Sequence, residues 1–346
     1  MPDELSHNDL FLALTPQAVI RAVERAGVEC RSVCSPLNSF ENRVYLMELA
    51  DGERIVSKFY RPQRWSREQI LEEHQFLTDL DDAEVPVCPT LAFPDGDTVK
   101  EIDGIYYTLF RARGGRPPEE LSAADCERMG MLVGRMHAVA VQRTAEHRIT
   151  LDVDTYVWAN VEWLEEHETI PAELRARYLD AAGNIADIAG ERLQGVTSHR
   201  IHGDCHLGNL LERDGVLHLL DFDDMVVGPP VQDIWLALPG RDAHTTRLRE
   251  SFVEGYERFR EFDRSTLQLI EPLRGMRMIH YATWLAKRWH DPVFPKTWPH
   301  FGSHDYWLEE TSTLEDIVNY CNKGQPASAP AEAPLTNADY FFDWED

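Results

Sequence analysis

The chain has 346 residues, 27% of them charged, and a formal net charge of −26 at pH 7. Such an excess of negative charge repels phosphate backbones and anionic bilayers, so neither nucleic acid nor a membrane is expected as a partner. No apolar run approaches bilayer-spanning length, residues 1–9 are too polar and acidic for a signal peptide, and the six scattered cysteines lack zinc spacing, which together predict a cytoplasmic protein with reduced thiols.

Thr15-Pro16 opens a predicted helix over 17–26 that Gly27 stops. Residues 35–42 read as the loop before a strand over 42–49, and Asp51-Gly52 turns the chain into a return strand over 54–60. Ile70, Leu71, His74, Leu77 and Leu80 fall near helical spacing, which predicts a helix over 66–80. A second hairpin is expected around Asp103-Gly104. Arg113-Gly114-Gly115-Arg116-Pro117-Pro118 then breaks regular structure, and a hinge is placed at 109–118. Beyond it the pattern is helical over 123–141, 157–166, 172–192, 244–260 and 265–290, with short strands only around 204–221. The fold class is therefore α+β, with a small β-rich lobe over 1–112 and a larger helical lobe over 113–322, as in a bilobal protein-kinase-like fold. Residues 323–346 begin rich in Pro, Ala and Gly and end acidic and aromatic. They read as a flexible tail, with docking on a partner or on this chain weighed against a solvated terminus.

His202-Gly203-Asp204 with Asn209 has the spacing of a kinase catalytic loop, H-R-D-x-x-x-x-N, with Gly203 in the Arg place. Asp221-Phe222-Asp223 follows an apolar strand-like run, where kinases carry D-F-G. Either alone is commonly a turn or a strand end; both, in this order and joined by a short hairpin-like link, point to phosphoryl transfer. That chemistry needs a carboxylate to orient the acceptor hydroxyl and oxygen ligands to hold Mg²⁺ against ATP phosphates. Asp204 suits the first role, and Asn209 and Asp221 the second. Lys58, in Ile55-Val56-Ser57-Lys58, resembles the strand lysine that meets the α- and β-phosphates. Glu72 and Glu73 both qualify as its helix partner, and Glu73 is preferred for its spacing to Leu77 and Leu80.

No G-x-G-x-x-G occurs. Backbone N–H groups near Asn38 and Ser39, with those side chains, are candidates for phosphate contact; the competing reading is a structural loop of Asx-type turns. Phe110 and its neighbours offer backbone groups to adenine or belong to the core. His137 reads as a structural histidine and Asp233 as a cap or loop brace. Arg274, Arg277, Lys287 and Arg288, with Trp284 and Trp289, share one long predicted helix; lining of the acceptor cleft is weighed against a helix face anchored in the core by aromatics, and the latter is preferred. Cys205, beside Asp204, is a loosely held candidate for oxidation.

His202-Gly203-Asp204, Asn209, Asp221, Gly228-Pro229 and Asp233 together resemble the aminoglycoside phosphotransferase and choline kinase group. Residues 35–45, 58–65, 70–76 and 279–284, with Arg288-Trp289, are more closely similar to the bacterial stress response kinase A family. The resemblance covers about residues 8–320. It implies a cytosolic Ser/Thr protein kinase that autophosphorylates and protects against oxidative and envelope stress. It also implies Asp204 as proton acceptor, Asp221 as a second active-site acid, Asn209 and Asp221 as Mg²⁺ ligands, and Ser39 in contact with ATP. Asp223 replaces the D-F-G glycine, where it could add a carboxylate near the metals, and no A-P-E segment is present.

The expected protein is thus an ATP- and Mg²⁺-dependent kinase, a monomer, acting on Ser/Thr hydroxyls of a protein substrate. A small-molecule kinase for an amino alcohol, sugar or aminoglycoside is the alternative, because one catalytic loop serves both acceptor classes. A catalytically dead scaffold is the other rival, against which stand Lys58, Asp204, Asn209 and Asp221, all present.

Overall fold

The structure, a computed structural model, describes residues 7–118 and 121–323. The tail expectation for 324–346 lies outside them; Lys323 ends the last helix. Contacts divide the chain into two units. The first comprises residues up to Pro117, Glu146–Arg148 and Leu210–Asp223. The second comprises the remainder, including Ile149–Asn209 and the residues from Asp224 on.

In the first unit, helices α1 (His7–Leu12) and α2 (Pro16–Arg25) precede strands β1 (Cys30–Leu37), β2 (Arg43–Leu49) and β3 (Arg54–Phe59). Then come α3 (Arg67–Asp82), β4 (Thr90–Leu91), β5 (Lys100–Ile102) and β6 (Ile105–Arg111). The sheet is antiparallel in the order β1-β2-β3-β6-β4, with β5 also paired to β6. The Thr15 hydroxyl accepts from Ala18 N–H and so caps α2, which presents Val19, Ala22 and Val23 to the core. That core holds Phe11, Met47, Ile55, Phe59, Tyr107 and Leu109, with Phe59 and Tyr107 stacked at 4.8 Å. Strand alternation sends Ile55 and Phe59 into it, and Lys58 to the opposite face of β3. A capping box starts α3: Ser66 and Gln69 satisfy each other's backbone N–H groups.

The loop between β1 and β2 is shorter than the sequence suggests. Ser35, Pro36 and Leu37 pair with Leu46, Tyr45 and Val44. Because β1 lies at the sheet edge, a proline fits there without breaking an internal ladder.

The second unit is helical. It contains α4 (Ala123–Ala140), α5 (Ala159–Glu166, entered through one π turn), α6 (Ala172–Leu193) and β7 (His199–Ile201). The chain passes through the hairpin β8 (Leu210–Arg213) and β9 (Val216–Leu219) of the first unit. It continues with β10 (Val226–Gly228), α7 (Val231–Ala237), α8 (Ala243–Tyr256), α9 (Ile270–Arg288), α10 (Val293–Thr297) and α11 (His304–Lys323). Helix α11 was not foreseen, although Trp307, Thr311, Leu314 and Ile317 are buried at helical spacing. Arg116, in the expected hinge, exchanges two backbone hydrogen bonds with Glu212 of β8 at 2.8 and 3.1 Å. No described helix is long and apolar enough to cross a membrane.

Helices α4 and α8 approach closely because glycines line the contact. A Cβ at Gly130 would fall 1.9 Å from the Phe252 carbonyl oxygen, and one at Gly255 2.0 Å from that of Glu127. Backbone cannot yield as a side chain tip can, so Gly130→Ala is expected to lower the melting temperature sharply, at a cost of several kcal/mol. A Cβ at Gly183, inside α6, meets only the Trp158 ring at 3.8 Å. Gly183→Ala should therefore stabilise by roughly 0.5–1 kcal/mol, read in the same denaturation experiment.

Two buried histidines set a pH window. Burial, with Lys58 and Arg148 nearby, pulls His74 down to about 3. Burial, with His137 nearby, does the same to His199. Below pH 6.5 the unfolded chain takes up protons that these folded rings refuse. Their contribution is complete above pH 6.5 and is lost on acidification toward pH 3, at about 1.4 kcal/mol per unit for each. Glu310, whose carboxyl is raised to about 8, slopes the opposite way and offsets roughly one histidine, so denaturation midpoints should still fall on acidification from pH 6.5 to 5, and His74→Gln should flatten that slope.

Candidate active site

Lys58 is buried on β3 beneath three carboxylates. Its Nζ lies 3.4 Å from Glu73 Oε1, 3.0 Å from Asp221 Oδ1 and 3.0 Å from Asp223 Oδ1. Burial pulls its pKa down, but Asp221, Asp223 and Glu73 outweigh that and hold it well above the usual lysine value. Of the two glutamates left open by the sequence, Glu73 meets Lys58. Glu72 instead accepts backbone N–H groups of Glu146, His147 and Arg148.

Two further cations balance the carboxylates. Arg64 Nη1 lies 2.6 Å from Asp223 Oδ2, and Arg148 Nη2 lies 3.1 Å from Glu73 Oε2. Asn42 also donates to Asp223 at 3.1 Å. Asp223 is thereby enclosed, at 2% exposure, and becomes a member of this ion network rather than a spare metal ligand. Burial pushes its carboxyl up, but Arg64 and Lys58 overcome this and hold it well below the normal range. Glu73, by contrast, is raised by burial despite the pull of Lys58. Asp221 is the exposed member: its side chain is 53% accessible and its backbone sits at φ +52°.

The other sequence-selected residues of this unit are less tightly engaged. The Ser39 hydroxyl accepts from Asn42 N–H at 3.3 Å, a local turn, while Asn38 is exposed. Phe110, half-buried on β6, turns its ring edge to His74 and sits 6.0 Å from Lys58 Nζ.

In the second unit, the segment after β7 carries Asp204. Gly203 adopts φ +82°, and a Cβ there would lie 2.2 Å from Asp224 O, which accounts for glycine where kinases carry Arg. Asp233 on α7 accepts from His202 N–H at 2.8 Å and Gly203 N–H at 2.9 Å, and from His137 Nε2 at 2.9 Å. His137 Nδ1 contacts the Tyr256 hydroxyl at 3.0 Å. The expected loop brace and structural histidine are thus one assembly, and Asp233 is not a helix cap. Asn209 Nδ2 donates to Asp204 O at 2.9 Å and Oδ2 at 3.3 Å. Its amide oxygen is left for another partner.

For Arg277 the sequence favoured a core-anchored helix face over the acceptor cleft, and the structure sets it on Asp204. From α9 its Nη2 donates to Asp204 Oδ1 at 2.6 Å. Arg274, its neighbour on the predicted face, pairs with Glu271 and lies over Trp235. Burial raises the Asp204 carboxyl, but His206 and Arg277 more than reverse this, so it stays ionised well below the usual carboxylate range. Cys205 is fully buried, and burial with Asp233 and Asp204 nearby pushes its thiol far up. A protonated, enclosed thiol does not suit a redox role.

Among the described residues, no group of three or more His, Cys, Asp or Glu side chains is close enough to hold a metal. Mg²⁺ bound with a nucleotide needs fewer protein ligands, since phosphates and water supply the rest. The Asn209 amide oxygen and the exposed Asp221 carboxylate are hard donors of the required kind.

Residues 33–270 match the family model described as the phosphotransferase enzyme family. Stress response kinase A of Escherichia coli (strain K12) is 41% identical over 88% of this chain and 92% of that protein. The chain belongs to the stress response kinase A family of phosphotransferases. The serine/threonine protein kinase RdoA of Salmonella typhimurium is 40% identical over the same shares. Among solved structures, an amicoumacin kinase in complex with AMP-PNP and Ca²⁺ has a TM-score of 0.71 at 19% identity, covering 91% of this chain and 96% of that one. A microcompartment-associated aminopropanol kinase has a TM-score of 0.65 at 20% identity, over 88% and 97%. The fold is therefore the protein-kinase-like one, with a small antiparallel-sheet lobe and a larger helical lobe.

For this kinase family member, removing the Asp204 partner should tell in turnover. Arg277→Met is expected to lower kcat for phosphate transfer about 10- to 100-fold with little change in KM for ATP, by steady-state kinetics. Arg277→Lys should recover part of the loss.

Proposed function

We propose that this protein is an ATP- and Mg²⁺-dependent serine/threonine protein kinase of the cytoplasmic stress response. The observation that carries the reading is the set Lys58–Glu73–Asp221, formed by β3, α3 and the residues after β9, in a chain 41% identical to stress response kinase A. The register of the β8–β9 hairpin supports one shared role for Asn209 and Asp221. Leu210 pairs with Leu219, so the two residues flank the same end of one hairpin.

In this reading Lys58, kept charged by its carboxylates, receives phosphate oxygens of ATP. Asn209 and Asp221 hold Mg²⁺, which supplies charge neutralisation at the phosphates. Asp204 orients the acceptor hydroxyl for in-line attack and accepts its proton late. A carboxylate this acidic is a poor proton store but an always-ionised hydrogen-bond acceptor. Ser39 and Asn38, between β1 and β2, are the candidates for covering the phosphates, and Phe110 for the adenine edge. The nucleotide-binding lobe would run to about residue 112 and the acceptor lobe from there to about 322, with monomeric enzyme as the working state.

The solved neighbours favour a second reading, a small-molecule kinase, because those proteins are named for amicoumacin and aminopropanol. A transfer assay from labelled ATP to proteins and to small alcohols separates the two. Asp204→Ala is expected to abolish phosphate transfer while leaving ATP binding nearly intact by calorimetry. Lys58→Met should weaken ATP binding about tenfold or more. Retained turnover in Asp204→Ala would remove Asp204 from the mechanism.

A further inference from the structure

Among the described residues, three buried polar atoms lie without a hydrogen-bond partner where α11 meets α6: Tyr178 Oη, Trp307 Nε1 and Glu310 Oε1. The Tyr178 and Trp307 rings meet edge to face at 5.4 Å, and Trp307 and Glu310 are three residues apart on α11. Glu310 acts electrostatically on three phenols: Tyr178, Tyr281 of α9 and Tyr306 of α11. The Tyr306 ring meets Trp307 edge to face at 5.3 Å and stands one turn before Glu310 on α11, so these rings and the carboxyl form one cluster. The charged group acting on Glu310 is Glu309, a like charge. Buried polar groups left without partners are unfavourable, so the cluster calls for an occupant.

Tyr281 joins this cluster to the chemistry. It stands one turn after Arg277 on α9 and is within electrostatic reach of both Arg277 and Asp204. A carboxylate among aromatic rings is suited to a cation, through charge and through the ring faces. The net charge of −26 attracts basic partners over a longer range.

We propose that Glu310, with Tyr178, Tyr281 and Tyr306, forms a subsite for a cationic side chain of the acceptor, an arginine or lysine near the target hydroxyl. This rests on the protein-kinase reading above. Burial, with Glu309 nearby, pushes the Glu310 carboxyl up to about 8, so an incoming cation drives it to ionise.

The test uses the full chain with Mg-ATP and paired serine peptides, in which an arginine at successive distances from the serine is replaced by neutral citrulline. The readout is the ratio of kcat/KM within a pair, measured on one preparation so that overall activity cancels. Wild type is expected to favour arginine about tenfold or more at one spacing, and Glu310→Gln to bring that ratio near one. Arginine keeps its charge throughout, and the three tyrosines stay protonated. The wild-type ratio should therefore rise from pH 6.5 to 8.5 as Glu310 ionises, a measurement that stands even if the variant does not fold. A ratio near one with both peptides phosphorylated overturns the subsite, leaves the protein-kinase reading intact and makes water the occupant. A preference retained by Glu310→Gln overturns it too. Transfer to a small amino alcohol but to neither peptide overturns both readings.

Discussion

A lysine buried on a sheet keeps its proton only if carboxylates surround it, and that requirement at Lys58 organises the whole first unit. Its partners come from distant parts of the chain: Glu73 from α3, Asp221 and Asp223 from the end of the hairpin segment. Three carboxylates around one cation would themselves repel, so Arg64 and Arg148 enter as well. Arg148 arrives on a three-residue excursion of the chain, Glu146–Arg148, whose backbone is held by Glu72. Charge balance in a low-dielectric interior thus explains why residues far apart in sequence belong to one compact unit. Within this balance only Asp221 keeps substantial exposure, and it is the member left open to a ligand.

A similar economy holds the Asp204 segment. One buried carboxylate, Asp233, satisfies two successive backbone N–H groups and a histidine at once. Gly203 lets the chain take the left-handed turn that this geometry needs. Asp204 is then aimed by Asn209, His206 and Arg277. Rigid backbone and a charged clamp provide the preorganisation that phosphoryl transfer requires, since positioning and electrostatics do most of its work.

Much of this was readable in one dimension. The likeness of Ile55-Val56-Ser57-Lys58 to a kinase strand picked out Lys58, helical spacing outlined α3, and the loop spacing from Asp204 to Asn209 picked out the proposed site. The misses have physical reasons. Pro36 looks like a loop residue, but an edge strand tolerates it. Asp223 looks like a free acid beside the proposed metal ligands; two cations and Asn42 close over it. Arg277 looked like one of several arginines on an amphipathic helix, because nothing local distinguishes an arginine that meets Asp204 from one that meets Glu271.

Local chemistry, then, is what the sequence determined alone: which residues are the candidates for proton acceptor, phosphate lysine and hard oxygen donors, and which stretches form strand or helix. These follow from short spacings and from periodicity, which a linear chain displays. The tertiary structure decided the pairing of charges: Glu73 over Glu72 for Lys58, Asp223 inside the network, Arg277 on Asp204, and Glu310 without a counter-ion among the described residues. Coulomb interaction and desolvation depend on distance through space and on the surrounding medium, and neither is written in the order of residues.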